Sequence, residues 1–136
     1  MAWCCMDNRK QELSRYRLEE AERCLRSAKM LFEAEDYKSA ANRSYYCAFN
    51  AIRSIFALQG KDYQKHSALM TFFRSEYIKT HIFDNKLSDI LRDLFYIRNK
   101  SDYDAFYVVD RQDISEQIEN TEYFLEQIKL YLNDRG

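Results

Sequence analysis

A chain of 136 residues with no proline and only two glycines has few means of turning sharply. Those residues supply the fixed or left-handed backbone angles that hairpins and barrel corners depend on, so a sheet protein of this length would use many of each. Their scarcity leaves helices joined by short polar links. The length is typical of one domain, and with 46% apolar residues the chain can bury a single core without disulfide or metal staples. The expected fold is all-α: an antiparallel up-and-down bundle of four to five helices over residues 9–134, preceded by a disordered segment, 1–8.

Apolar spacing places the helices. Leu13, Tyr16, Ala21, Cys24, Leu25, Ala28, Leu31 and Phe32 recur at helical period and predict a helix over about 9–34. Asp36 is a suitable N-cap for a second, 37–58, whose stripe runs from Ala41 through Tyr45, Phe49 and Ile52 to Phe56 and which Gly60 can end. The short link at Glu35 and Asp36 makes these two an antiparallel hairpin, and small residues at 40, 41, 44 and 48 allow close approach. Residues 67–79 form a third helix, apolar around more than one side and so expected to be buried on two. Asp84 caps a fourth, with Leu87, Ile90, Leu91, Leu94 and Phe95 inward, whose periodicity stops at Arg98. After an aromatic, acidic stretch from Ser101 to Val109, Asp110 and Asp113 open a fifth helix that ends near 133.

Charge and cysteines exclude several functions. Twenty-one basic against 22 acidic side chains leave no basic excess of the kind that marks a non-specific nucleic-acid binder, so any RNA contact must be local. No stretch approaches the ~20 apolar residues of a membrane span, and Met1–Asp7 is too short for a secretory signal. A cytoplasmic protein without membrane contact is expected. Cys4, Cys5, Cys24 and Cys47 contain no CxxC pair and no ligand-spaced histidine, so no metal or cofactor is expected. Cys24 and Cys47 fall on apolar faces, where free cysteine acts as a small hydrophobe.

Residues that break the apolar pattern are the functional candidates, because a consistent fold violates its local rules mainly at sites. On helix two, Asn42, Arg43 and Asn50 flank the apolar stripe, and Arg43 and Asn50, seven apart, project in nearly one direction. They could hold a ligand or hydrogen-bond a carboxylate or helix end within the bundle. At the end of helix four, Arg98, Asn99, Asp102 and Tyr103 bring a cation, an amide, a carboxylate and a phenol within two turns. Arginine suits bidentate phosphate binding and a phenol can stack on a base. The same residues could serve as a C-terminal cap, with Asp102 pairing to Arg98.

The run Ala40–Ala51 (AANRSYYCAFNA), then Lys65 and His66, then Arg98-Asn99-Lys100-Ser101-Asp102-Tyr103 ahead of a final amphipathic helix resembles the HEPN family, and most of all its small stand-alone bacterial and archaeal members. The resemblance covers roughly residues 10–132. It implies a bundle that forms a homodimer, with the end of helix four from each protomer facing a shared cleft. Many members are metal-independent endoribonucleases acting as toxins, often encoded beside a minimal nucleotidyltransferase antitoxin. Their motif is an arginine, a polar residue, a few further positions and a histidine, which assigns Arg98 and Asn99 to the catalytic site.

Where the family has its histidine this chain has Tyr103, so Arg98, Asn99 and Tyr103 become the catalytic candidates. His66, matching a histidine that similar proteins carry, joins Arg43, Asn50, Lys100 and Asp102 as nucleotide- or RNA-binding candidates. Two functions follow from the resemblance: a toxin-type endoribonuclease, in which the ribose 2′-hydroxyl attacks the adjacent phosphate while Arg98 stabilises the charge, or a non-catalytic nucleotide- or RNA-binding scaffold for the nucleotidyltransferase. Related toxins are neutralised by nucleotide transfer to a tyrosine just past the motif, which makes Tyr103 and Tyr107 modification candidates.

Overall fold

The structure, a computed structural model, describes the backbone of residues 2–135 and the side chains of residues 8–134. Five helices follow in chain order: α1 (Ala2–Glu33), α2 (Tyr37–Leu58), α3 (His66–Phe73), α4 (Asn85–Tyr103) and α5 (Arg111–Arg135). α3 passes directly into a π-helical turn, Arg74–Ile78, closed by Lys79 N–H donating to the Arg74 carbonyl. No strand occurs among the described residues, and the fold is the expected all-α bundle.

Two boundaries differ from the sequence reading. The α1 backbone is helical from Ala2, not residue 9, since nothing in between breaks a helix. The segment 1–8, expected to be disordered, overlaps side chains outside the described residues. α4 continues past Arg98 to Tyr103 although its apolar period has ended. An i,i+4 ion pair, Arg98 to Asp102, supports that last stretch.

The caps are local chemistry. Asp36 accepts from Ser39 N–H and Asp84 from Lys86 N–H, satisfying donors that helix N-termini leave open. α1 and α2 both end in the paired hydrogen bonds of a Schellman motif, with Glu35 (φ 63°) and Gly60 (φ 71°) in the left-handed position.

α2 is the central helix and packs against α1, α3, α4 and α5. Ala40, Ala41, Ser44 and Ala48 are fully buried, as are Ala21 and Ala28 of α1, so the two backbones lie close. Towards the C-terminal end of α2 the core is aromatic: Phe73, Tyr77, Phe83, Phe124 and Tyr131 meet with ring centroids 5.4 to 5.9 Å apart. Helix three is buried on two sides only in part, because Phe72 stays 41% exposed and stacks on Tyr63. Cys24 and Cys47 are free and buried. No helix is long and apolar enough to cross a membrane among the described residues.

Candidate functional site

Arg98 leaves the C-terminal half of α4 and lies across α2. Its guanidinium carbon is 5.1 Å from the Tyr45 ring centroid and 5.6 Å from that of Tyr46. Nη2 donates to the Tyr46 hydroxyl at 3.4 Å, and Nε sits 3.1 Å from Asp102 Oδ2. That approach is an ion pair without hydrogen-bond alignment, so the buried Nε–H has no hydrogen-bond acceptor. A mostly buried cation is therefore held in place by two rings and one carboxylate, with a donor left over. Such a donor is unusual in a folded protein.

The same rings hold His66, the first residue of α3. Its Nδ1 is 2.8 Å from Tyr45 Oη, and its ring lies 4.3 Å from Phe49, 5.5 Å from Tyr45 and 5.8 Å from Tyr46, centroid to centroid. Burial, with the positive charges of Arg98 and Arg53, pushes the imidazole below its usual pKa and keeps it neutral near pH 7. Burial raises the Tyr45 phenol to about 12, against the pull of Arg98, so its proton stays in place. A fixed guanidinium and a neutral imidazole thus meet on one aromatic floor.

The other candidates divide between three surfaces. Arg43 donates through Nε and Nη2 to Asn42 Oδ1, and its guanidinium lies 5.2 Å from the Tyr46 ring, which places it with Arg98. Asn50 turns to local bonds, donating to the Tyr46 carbonyl and contacting the Cys24 thiol. Asn99, Lys100 and Tyr103 line a groove of about 770 Å³ with Phe95, Tyr96 and Phe106, a different face of α4 from the one Arg98 uses. There Tyr103 is 80% and Phe106 94% exposed. Tyr107 is half-buried in a separate cavity with Asp93 and Asp113, its phenol pKa raised mainly by burial.

Tyr45 and Tyr46 are the residues that sequence reasoning passed over. Tyr45 reads as one more member of an apolar stripe. Tyr46 carried a usable signal: Asn42, Arg43 and Asn50 stand three and four positions from it, so a half-buried ring is surrounded by polar side chains on its own helix. Among the described residues no three His, Cys, Asp or Glu side chains converge to hold a metal ion.

Comparison with known proteins agrees with this architecture. The chain is 28% identical over 127 residues to a "UPF0332 protein" of Thermotoga maritima, covering 93% of this chain and 96% of the relative. It is 28% identical over 123 residues to "Putative toxin MJ0142" of Methanocaldococcus jannaschii, covering 90% and 83%. A second archaeal relative, "Putative toxin MJ0605", is 25% identical over 86% of this chain and 87% of its own length. The HEPN domain model matches residues 14–131, from the middle of α1 almost to the end of α5, and so takes in every helix that builds the Arg98 site. The chain belongs to the HEPN family.

Proposed function

We propose that this protein is the toxin-type component of a toxin–antitoxin pair and cleaves RNA without a metal at the Arg98 site. The observation that carries the reading is the shared floor of Tyr45 and Tyr46, on which Arg98 and a neutral His66 are both held. The toxin names of two relatives agree with it.

Chemically, the ribose 2′-hydroxyl attacks the adjacent phosphorus, the bond to the 5′-oxygen breaks with that oxygen taking a proton from water, and the products are a 2′,3′-cyclic phosphate and a 5′-hydroxyl. Arg98 stabilises the charge that builds on the phosphoryl oxygens through the Nη side of its guanidinium. When His66 Nδ1–H donates to Tyr45 Oη, Nε2 carries the lone pair that removes the 2′ proton. His66 thereby supplies from α3 the imidazole that position 103 lacks. Asp102 stays paired to the Nε side of Arg98 and fixes the guanidinium in place.

The groove of Asn99, Lys100, Tyr103 and Phe106 is proposed as the homodimer face, since large apolar side chains exposed together mark interaction surfaces. Sedimentation showing a monomer at micromolar concentration would remove that part. A minimal nucleotidyltransferase is the proposed partner, cytoplasm the proposed compartment, and Tyr103, far more exposed than Tyr107 in the single chain, the better acceptor of a modification before the dimer face covers it. The second reading, a non-catalytic RNA- or nucleotide-binding scaffold, is favoured by one observation: tyrosine stands at position 103 and lines a groove away from Arg98.

The deciding experiment incubates wild type, Arg98→Ala and His66→Gln with structured and single-stranded RNA in EDTA. Cleavage by wild type alone is expected, with losses of at least about a hundredfold on removing either group. Equal inertness of all three, with RNA still bound, selects the scaffold.

A further inference from the structure

Arg43 and Arg98 share the Tyr46 ring, but their charges are treated differently. Arg98 has Asp102 at 3.1 Å, whereas Arg43 bonds the neutral amide oxygen of Asn42 and forms no ion pair among the described residues. Arg43 lines a cavity of about 520 Å³, whose walls also include Lys38, Asn42, Ser101 and Asp102, the ion-pair partner of Arg98. Lys38 also forms no ion pair among the described residues. With Asp102 engaged by Arg98, two uncompensated cations remain on the cavity wall. Like charges gathered at a surface repel, and an anion between them lowers the energy.

The hydrogen-bonding groups point the same way. Because Asn42 Oδ1 accepts twice from Arg43, its Nδ2 donors are left for another partner. Ser101 is only 8% exposed, yet its hydroxyl has no hydrogen-bond partner among the described residues. Buried helical hydroxyls elsewhere in this bundle return to their own backbone, Ser44 to the Ala40 carbonyl and Thr121 to the Gln117 carbonyl. Ser101 does not. The cavity therefore gathers an ammonium, a guanidinium and an amide NH2, with the Ser101 hydroxyl just behind its wall, a donor set suited to a tetrahedral oxyanion.

We propose that this cavity is a phosphate-binding subsite, taking the backbone phosphate next to the one at Arg98; its place on RNA rests on the Arg98 reading, its affinity for phosphate does not. Tyr46 sets the spacing of the two subsites by fixing both guanidiniums on one ring. The consequence for substrate is a polynucleotide with at least two consecutive phosphates in preference to a mononucleotide.

The test uses the whole chain and two probes, inorganic phosphate and a short 2′-O-methyl RNA that cannot be cleaved. Phosphate is expected to shift the backbone amide signals of Ser39 and Ser101 in wild type, less in Lys38→Gln and not at all in Lys38→Gln/Arg43→Gln, whose remaining spectrum reports an intact fold. For the oligonucleotide, loss of the one phosphate held by Lys38 and Arg43 should make the dependence of log K on log salt shallower by about 0.7 in the double variant, as loss of the other does in Arg98→Ala. If phosphate leaves Ser39 and Ser101 unmoved, or if the salt slope is unchanged in the double variant while Arg98→Ala weakens binding, the subsite is wrong and the Arg98 reading stands. If phosphate moves those signals but no variant binds the oligonucleotide, the subsite stands as an anion site and the RNA-directed reading falls.

Discussion

Aromatic side chains crowd both ends of α2, and the bundle uses the two groups in opposite ways. At the C-terminal end Phe73, Tyr77, Phe83, Phe124 and Tyr131 close on one another. At the N-terminal end Tyr45 and Tyr46 support two guanidiniums and an imidazole. The first group is mainly apolar burial, which stabilises in proportion to area removed from water, with the Tyr77 hydroxyl accepting from Gln59. The second spends part of that gain on desolvating Arg98 and leaving its Nε–H without an acceptor. One end holds the fold; the other holds charge at a defined place.

Substitution at each end separates these roles. Phe73 is fully buried against the rings of Tyr77, Phe83 and Phe124, so Phe73→Ala removes its transfer energy and leaves a cavity, and a loss of about 3–5 kcal/mol is expected in denaturant unfolding. Arg98→Met, which keeps an unbranched chain against the tyrosines, should change stability by no more than about 1 kcal/mol, since the cation–π attraction lost and the unsatisfied donor removed are of similar size. That variant should be inactive on RNA. A loss at Arg98 as large as that at Phe73 would mean that the site end is structural too, and would break the contrast.

The sequence made the first end legible and the second only in part. Helix content, the α2 boundaries, both aspartate caps and the role of Gly60 follow from local patterns, because capping and apolar period are properties of neighbouring residues. Arg98 was visible as a break in that pattern. What it rests on was not: Tyr45 and Tyr46 are fifty-two or more positions away, and His66 reaches the site only because α3 begins beside α2. Reading outward from Arg98 along the chain leads instead to Asn99 and Tyr103, which helix geometry turns to another groove. The aromatic excess of helix three is mostly consumed by the core, while the exposed rings cluster at Tyr96, Tyr103 and Phe106.

The two turns that bracket α2 repeat the contrast on a smaller scale. Each closes a Schellman motif in the left-handed region, but the closed end has Gly60 there and the site end has Glu35. A side chain at such an angle costs about 1 kcal/mol relative to glycine. Glu35→Gly should therefore stabilise by about 0.5–1 kcal/mol, whereas Gly60→Ala should destabilise by about 1 kcal/mol, its added Cβ also meeting Lys10 Cε at 3.2 Å. Thermal unfolding of the two variants side by side checks both signs. Destabilisation by Glu35→Gly would show that the glutamate side chain makes a contribution beyond its backbone angle.

The smallest effect concerns His66, the one titratable group of the site floor that changes charge near neutral pH. Its folded pKa lies below the ordinary 6.5, first because of burial and then because of Arg98 and Arg53. As pH falls through 6.5, the unfolded chain takes up this proton before the folded one, so stability declines until the folded imidazole is also protonated; above 6.5 the group contributes no pH dependence. His66→Gln, which retains a polar partner for Tyr45, should flatten the fall in Tm between about pH 5 and 7 relative to wild type. Its RNA cleavage should be lost at every pH, while wild-type cleavage persists below 6.5 and drops only when the folded imidazole takes up its proton. Identical Tm profiles for the two proteins would mean that His66 is not depressed by Arg98 and burial, and the case for a neutral base beside the guanidinium would go with it.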